Sequence, residues 1–511
     1  MQEAFDKNRI IKNSSTLFIR MMFTMVLNLL TTRFVLAALG VEDMGVYGIV
    51  GSIVGMFGIL VSGLLSATQR FITFELGKPD GDVNKVFCTS VNLILFMGII
   101  MLIALEVGGG LMFEYGIQIP EKSIDAARWV MQFSIVTCVL NILLTPYSAL
   151  LIAHEKMDTW ALISVFQVAA GCGMAYSLTL FAQSERLFWY ALLAMVIQMI
   201  VILMYVIYCN VKYQESHYKA YIDRPLVKEM ARFAGASYGK GILEMVCNQG
   251  IILVINWTFG VAINAVYNIG MQVKNSVLSF GFNVHKSMAP QITKTYAAGE
   301  IDRHVKLVFT SSKFSVYILL LVFIPFLLRA DYFMSLWLGK VPPYATIFTS
   351  ILVFQSLLYA GFESFRTSVM ATGKVGKFFI YSESFHLMVL PISYWVAYLT
   401  DSPIFFIISV VICDFAYCGY MIYLGTRVTP ISAKGFFMKT ILPCSLVLVF
   451  ASIIMYGINL IIPASFLGLC LVIIINAIIV IGIIYTLGLD QREKQLCLEM
   501  LLKIIAKIRK E

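Results

Sequence analysis

Long apolar runs, broken by short charged or Pro/Gly-bearing segments, recur along the whole chain. Each run is close to the roughly 20 residues that a helix needs to cross a bilayer core. Fourteen such runs are predicted as spans, at about 14–38, 44–68, 87–113, 126–152, 158–182, 187–211, 233–259, 263–284, 309–328, 345–372, 378–400, 403–424, 440–462 and 466–488. The first, from Thr16 to Ala38, is longer than the apolar region of a cleavable signal peptide and has no small-residue cleavage site after it. It reads as a permanent span. The expected fold class is therefore all-α integral membrane, with about 14 transmembrane helices.

Composition strengthens this reading. Charged residues make up 13% of the chain and apolar residues 59%, with a mean hydropathy of +0.85. Too few polar residues remain to clothe a soluble protein of this size. The net charge of +9 raises the question of nucleic acid, but its distribution answers it. With both termini on the cytoplasmic side, inner segments and the span ends that border them carry 28 of the 38 Lys and Arg residues, and the outer ones 5. That is a positive-inside bias, and it accounts for the basic balance without a nucleic-acid partner. The outer loops are short, the longest near 114–125 and 329–344. Neither is long enough for a catalytic domain, so an enzyme is not expected. The ten cysteines are scattered without metal-ligand spacing. No metal, disulfide or cofactor is predicted.

Two segments read as interfacial. In the tail, 489–511, Leu498, Leu501, Ile505 and Ile508 share a helical face while Lys503, Lys507 and Lys510 lie elsewhere, a pattern suited to an anionic membrane surface. The segment 212–232 sets Tyr213, Tyr218 and Tyr221 among basic residues and is read the same way, as a linker between two halves.

Those halves repeat. A shift of 220 residues lays LGVEDMGVYGI (39–49) on FGVAINAVYNI (259–269), matching Gly40 with Gly260, Tyr47 with Tyr267 and Ile49 with Ile269. Farther out, Asn28 meets Asn248 and Arg20 meets Lys240. An even number of spans separates the copies, so the repeat is parallel. It divides the chain into an N-lobe (1–211), the linker, a C-lobe (233–424), two extra helices (425–488) and the tail, with a central cleft expected between the lobes.

Polar residues inside spans are costly and mark cavities or partners. Arg20, Thr24, Asn28 and Thr31 share one helical face, and Lys240, Glu244 and Asn248 share another at the same spacing. Each lobe thus offers a cation with an amide about two turns deeper, lining the cleft or, for the cations, snorkelling to the surface. Asn264, Asn268, Gln272, Asn275, Ser279 and Asn283 form an amide-rich stripe suited to a hydroxyl-rich ligand, whereas the matching face of the second span carries Gly48, Ser52 and Gly55, a pattern of close helix packing. Lys274 lies mid-span off that stripe, and Arg33 lies off the Arg20 face, lining the cleft or snorkelling outward. The C-lobe carries Glu363 with Arg366, Glu383 with His386, and Asp414 near Tyr417. Glu363–Arg366 and Lys240–Glu244 are each either mutual ion pairs or functional groups. The buried carboxylates are candidate proton or sodium carriers, or counter-ions to the cations.

The runs KNSSTLFIR (12–20), LGVEDMGVYGIVGSI (39–53), SATQRFITFELGK (66–78) and LIAHEKM (151–157) resemble the polysaccharide transport family. That family, which includes O-antigen flippases of Wzx type, belongs to the multidrug/oligosaccharidyl-lipid/polysaccharide exporter (MOP) superfamily. The chain is also similar, more distantly, to lipid II flippases of fourteen spans. The resemblance implies a V-shaped, two-lobed helical fold in the bacterial inner membrane. It further implies translocation of an undecaprenyl-pyrophosphate-linked oligosaccharide, such as an O-antigen, capsule or exopolysaccharide unit, to the periplasmic leaflet. Arg20, Lys240, Arg33 and Lys274 would meet the headgroup, and Thr24, Asn28, Asn248, Gln272 and Asn275 the glycan. Glu244, Glu363, Arg366, Glu383, His386 and Asp414 would serve ion coupling or charge balance. The alternative is an H+- or Na+-coupled multidrug or metabolite antiporter of the same superfamily.

Overall fold

The computed structural model describes residues 2–76, 78, 80–115, 119, 123–154, 156–373, 375–491 and 493–494. Every regular element among them is helical, as a chain with this much apolar surface requires, since a helix satisfies its backbone within one segment. In order these are α1 (Gln2–Gly55), α2 (Gly58–Leu76), α3 (Val83–Tyr115), α4 (Ile124–Leu143), α5 (Thr145–Ala153), α6 (Met157–Ser177), α7 (Arg186–Lys212), α8 (Arg224–Ala297), α9 (Ile301–Leu328), α10 (Ala330–Leu338), α11 (Ala345–Ala371), α12 (Val375–His386), α13 (Val389–Thr400), α14 (Pro403–Gly425), α15 (Ala433–Phe436), α16 (Leu442–Asn459) and α17 (Phe466–Ile483).

Among the described residues, eleven stretches are long and apolar enough to cross a membrane. The difference from the fourteen expected falls at three places. The run 44–68 is divided between α1 and α2 by a turn at Met56 and Phe57, between Gly55 and Gly58. The run 378–400 is divided into α12 and α13. Pro391 lacks an N–H, and its ring crowds the carbonyl of Leu387, so the helix breaks at Leu387 and Met388. The runs 233–259 and 263–284 both lie in α8, which bends at Gly260.

The bends carry the repeat into the backbone. Gly40 in α1 has φ 78° and ψ −180°, and Gly260 in α8 has φ 78° and ψ −174°. Only glycine enters this region without strain. A Cβ at either site would meet nothing within 4 Å, so backbone conformation rather than space demands glycine there.

The chain separates into two compact units. The first comprises residues 1–268, 337–342 and 387–406, and the second residues 269–336, 343–386 and 407–511. In the first unit Val46, Ile49, Val50 and Ile53 pack with Leu105, Val130 and Ile135, and a second cluster joins Ile72, Phe87, Leu150 and Val201. In the other unit Ile292, Val308, Phe365 and Phe436 form the corresponding core.

The linker differs from the expected surface helix. Residues 213–223 form a strap with a short 3-10 turn at Gln214–Ser216, and α8 starts only at Arg224. Asn84 donates to the carbonyls of Glu215 and His217, each at 2.8 Å, and Tyr218 donates to Asn92 at 2.7 Å. Asp223 pairs with Lys85 at 2.6 Å, and the hydrogen bond from that ammonium holds the carboxyl below the usual aspartate range. Polar anchors on α3 fix the strap, a long-range pairing that a local periodicity does not reveal.

At the other end of the chain, Lys313 and Glu493 form a buried pair at 2.5 Å, and Thr310 adds a hydrogen bond to Glu493 at 2.8 Å. These tie the segment after α17 to α9. The amphipathic tail beyond Lys494 lies outside the described residues.

Candidate cargo and coupling sites

In the first unit, Arg20 is held in place by α6. Its Nε donates to Ser164 Oγ at 2.6 Å, and its guanidinium carbon lies 4.1 Å from the centre of the Trp160 ring. Ser164 and Trp160 are one helical turn apart, which makes a clamp for a planar cation. Among the described residues no carboxylate pairs with Arg20. The clamp uses Nε and one face of the guanidinium, which leaves the terminal N–H groups for an anion.

Along the same face of α1, Thr24 is half-buried and Asn28 exposed; Asn248, the repeat mate of Asn28, is also exposed, and Glu244 is half-buried. Arg33 is exposed. The Lys240 side chain lies outside the described residues. The amide stripe of α8 is not uniform. Asn264 is fully buried, Gln272 is half-buried and Asn275 is exposed.

Lys274 stands apart from the other basic candidates. It is buried in the second unit, donates to Gln355 Oε1 at 2.6 Å and lies 4.7 Å from the Tyr359 ring. Being off the amide stripe, it points toward α11 instead of sharing the exposure of Asn275. The other end of Gln355 donates to Asp414. Asp414 accepts from His386 Nε2 at 2.8 Å, and His386 Nδ1 is 4.0 Å from Glu383. Tyr417 donates to Glu383 at 2.9 Å, and its ring stacks on His386 with centroids 4.4 Å apart. Four helices, α8, α11, α12 and α14, thus place one lysine, one histidine and two carboxylates in a single buried network.

Its charge tally limits its chemistry. The Lys274 ammonium balances one carboxylate. The cluster is neutral when the imidazole carries a second proton and singly negative when it does not. Glu363 and Arg366 approach each other at 3.7 Å on α11, with side chains 27% and 16% exposed.

Sequence reasoning missed several partners. Trp160 and Ser164 gave no signal as holders of Arg20. A second buried polar chain runs from Ser311 to Ser364 at 2.7 Å and from Ser364 to His285 at 3.1 Å, and His304 bonds Ser368 at 2.7 Å. The four-residue spacing of Ser364 and Ser368 was the one available hint.

The fold so described is similar to that of solved membrane transporters. A family model described as MatE matches residues 17–179. Among solved structures, the chain is similar to the lipid II flippase MurJ in an inward closed conformation, at 12% identity and TM-score 0.72, over 93% of this chain and 99% of that one. It is also similar to a multidrug resistance MATE family transporter of the MOP superfamily in an inward-facing conformation, at 16% identity and TM-score 0.67, over 81% of this chain and 97% of that one. A third, a MOP superfamily transporter from Pyrococcus furiosus whose binding pocket is described as having reverse polarity, aligns at 15% identity and TM-score 0.55 over 81% of this chain and 95% of that one. Among curated proteins, none matches the chain.

Proposed function

We propose that this protein is a flippase that moves an undecaprenyl-pyrophosphate-linked oligosaccharide from the cytoplasmic to the periplasmic leaflet by alternating access. The observation that carries this reading is the clamped Arg20, a cation oriented by a hydroxyl and an aromatic face and not by an acid. A lipid-linked pyrophosphate is an anion that such a group fits, and Lys240 supplies the repeat-related second charge. Exposed Asn28 and Asn248 suit the adjoining sugars, while the prenyl tail stays in lipid. Support also comes from extent: the lipid II flippase aligns with 93% of this chain, against 81% for the multidrug transporter.

The second reading, a proton- or sodium-coupled antiporter, is favoured by the Lys274–Gln355–Asp414–His386 network. In the flippase the same network is the coupling site. The two readings differ in cargo, so cargo is what the test addresses. Each charge-assisted hydrogen bond to a desolvated diphosphate contributes about 1.5–3 kcal/mol. Arg20→Ala is therefore expected to weaken binding of undecaprenyl pyrophosphate to purified protein by about tenfold or more. Arg20→Lys falls between wild type and Arg20→Ala if charge dominates, and equals Arg20→Ala if the planar fork matters. Unchanged affinity in a stable Arg20→Ala protein rules out this headgroup site.

A further inference from the structure

We propose that the 41–55 arm of α1 and the 241–268 part of α8 form the outer gate of the transport path, and that Asn264, sealed in it without partners, and Gln249, whose Oε1 is buried and unpaired there, bind sugar hydroxyls when it opens. The inference rests on the alternating-access reading above and adds to it a place for closure and a second set of cargo contacts.

Just past its bend, α1 approaches α8 at glycines. A Cβ at Gly45 would overlap the carbonyl oxygen of Val261, and one at Gly48 would overlap Nδ2 of Asn268. Farther along, a Cβ at Gly55 would come 3.1 Å from Nε2 of Gln249. Positions 48 and 268 are equivalent in the 220-residue repeat. In a pair of helices related by a pseudo-twofold axis, equivalent positions meet at that axis. Here the first repeat supplies glycine and the second an asparagine that fills its space. Small residues let helices come this close within a membrane.

The seam is tight yet poorly satisfied. Val261, Asn264 and Asn268 follow i, i+3, i+7 and share one face of α8. Asn264 is fully buried, and neither its Oδ1 nor its Nδ2 has a partner; Oε1 of Gln249 is likewise buried and unpaired. Buried amides are nearly always hydrogen-bonded, and an orphan needs an explanation. A permanent packing seam is better served by leucine. An amide is better explained if closure is one state of two, with its partners met in the other. The flanking apolar residues Val46, Ile49 and Val50 are fully buried, so closure excludes water while the seam lasts.

The test uses full-length protein with its reactive native cysteines replaced and one introduced by Asn264→Cys. A membrane-impermeant maleimide is applied from outside, with and without a synthetic undecaprenyl-pyrophosphate-linked disaccharide on the inner side. The gate predicts slow labelling that quickens when the disaccharide is supplied. Adding Gly48→Ala should raise labelling by about fivefold or more, the ratio given by the low end of an overpacking penalty, and Asn268→Gly should then restore protection. Labelling that stays absent under every condition overturns the gate, and needs no Gly48 variant to be seen. For the sugar contact, Asn264→Leu should keep the protein at least as stable, because an orphan amide is lost, yet slow disaccharide translocation severalfold. Unchanged translocation overturns that role. If wild type moves no disaccharide but position 264 still opens to the outside during turnover of another cargo, the proposed cargo fails and the gate stands.

Discussion

At the scale of single residues, the least expected placement is that of Lys274. Its amine reaches Gln355, 81 positions away, and through it Asp414. Nothing local foretells this contact. The sequence showed a lysine off the amide stripe, and only the packing of α8 on α11 decides which way it faces. The acids were more legible, because Glu383 and His386 at i, i+3 and Asp414 within an apolar run each break the composition of their surroundings. Removing one member of a buried charged network leaves another uncompensated and costs about 3–5 kcal/mol, whereas removing both sides of the charge balance together is often close to neutral. Lys274→Met alone should therefore lower the unfolding midpoint in detergent well below that of wild type. Lys274→Met with Asp414→Asn should recover most of the loss. If the single variant unfolds like wild type, the network contributes no coupling of this kind.

At the scale of elements, the repeat was legible and the strap was not. Gly40 and Gly260 align in the sequence and then adopt the same backbone angles within a few degrees. An internal repeat is a relation between distant strings and survives as such; a hairpin of helices needs a sharp turn in both copies. The strap, 213–223, is fixed instead by Asn84, Lys85 and Asn92 of α3, and those pairings have no period to read. The eleven long apolar stretches differ from the fourteen predicted spans partly where a proline or a glycine pair divides a run, as at Pro391 and between Gly55 and Gly58. Because neither bend glycine has neighbours to clash with, substitution there tests backbone strain alone. Gly40→Ala and Gly260→Ala should each cost about 1–3 kcal/mol, with similar losses from the two, measured as shifts in chemical unfolding of the purified protein. Gly51→Ala, in an α-helical stretch with equally open space, should not destabilise and serves as the comparison. Equal behaviour of all three would contradict the shared bend geometry as the reason for these glycines.

At the scale of the whole molecule, two features bear on what is moved. One is the clamped Arg20 in the first unit, which pairs with no carboxylate among the described residues, and the other is the Lys–Asp–His–Glu network in the second. A carrier of cationic drugs gains from exposed acids, and here the acids of the network are 2–3% exposed at the side chain and already engaged. An anion carrier gains from a cation held by neutral groups, as half-buried Arg20 is by Ser164 and Trp160. The central claim is therefore about cargo, and the most direct measurement reconstitutes the protein in liposomes holding a fluorescent undecaprenyl-pyrophosphate-linked oligosaccharide in one leaflet. Appearance of the label in the opposite leaflet is followed with a membrane-impermeant quencher. The account predicts protein-dependent translocation, reduced about tenfold or more by Arg20→Ala and unaffected by excess cationic dye. No translocation of the lipid-linked glycan, together with gradient-driven uptake of the cationic dye by the same liposomes, would contradict it.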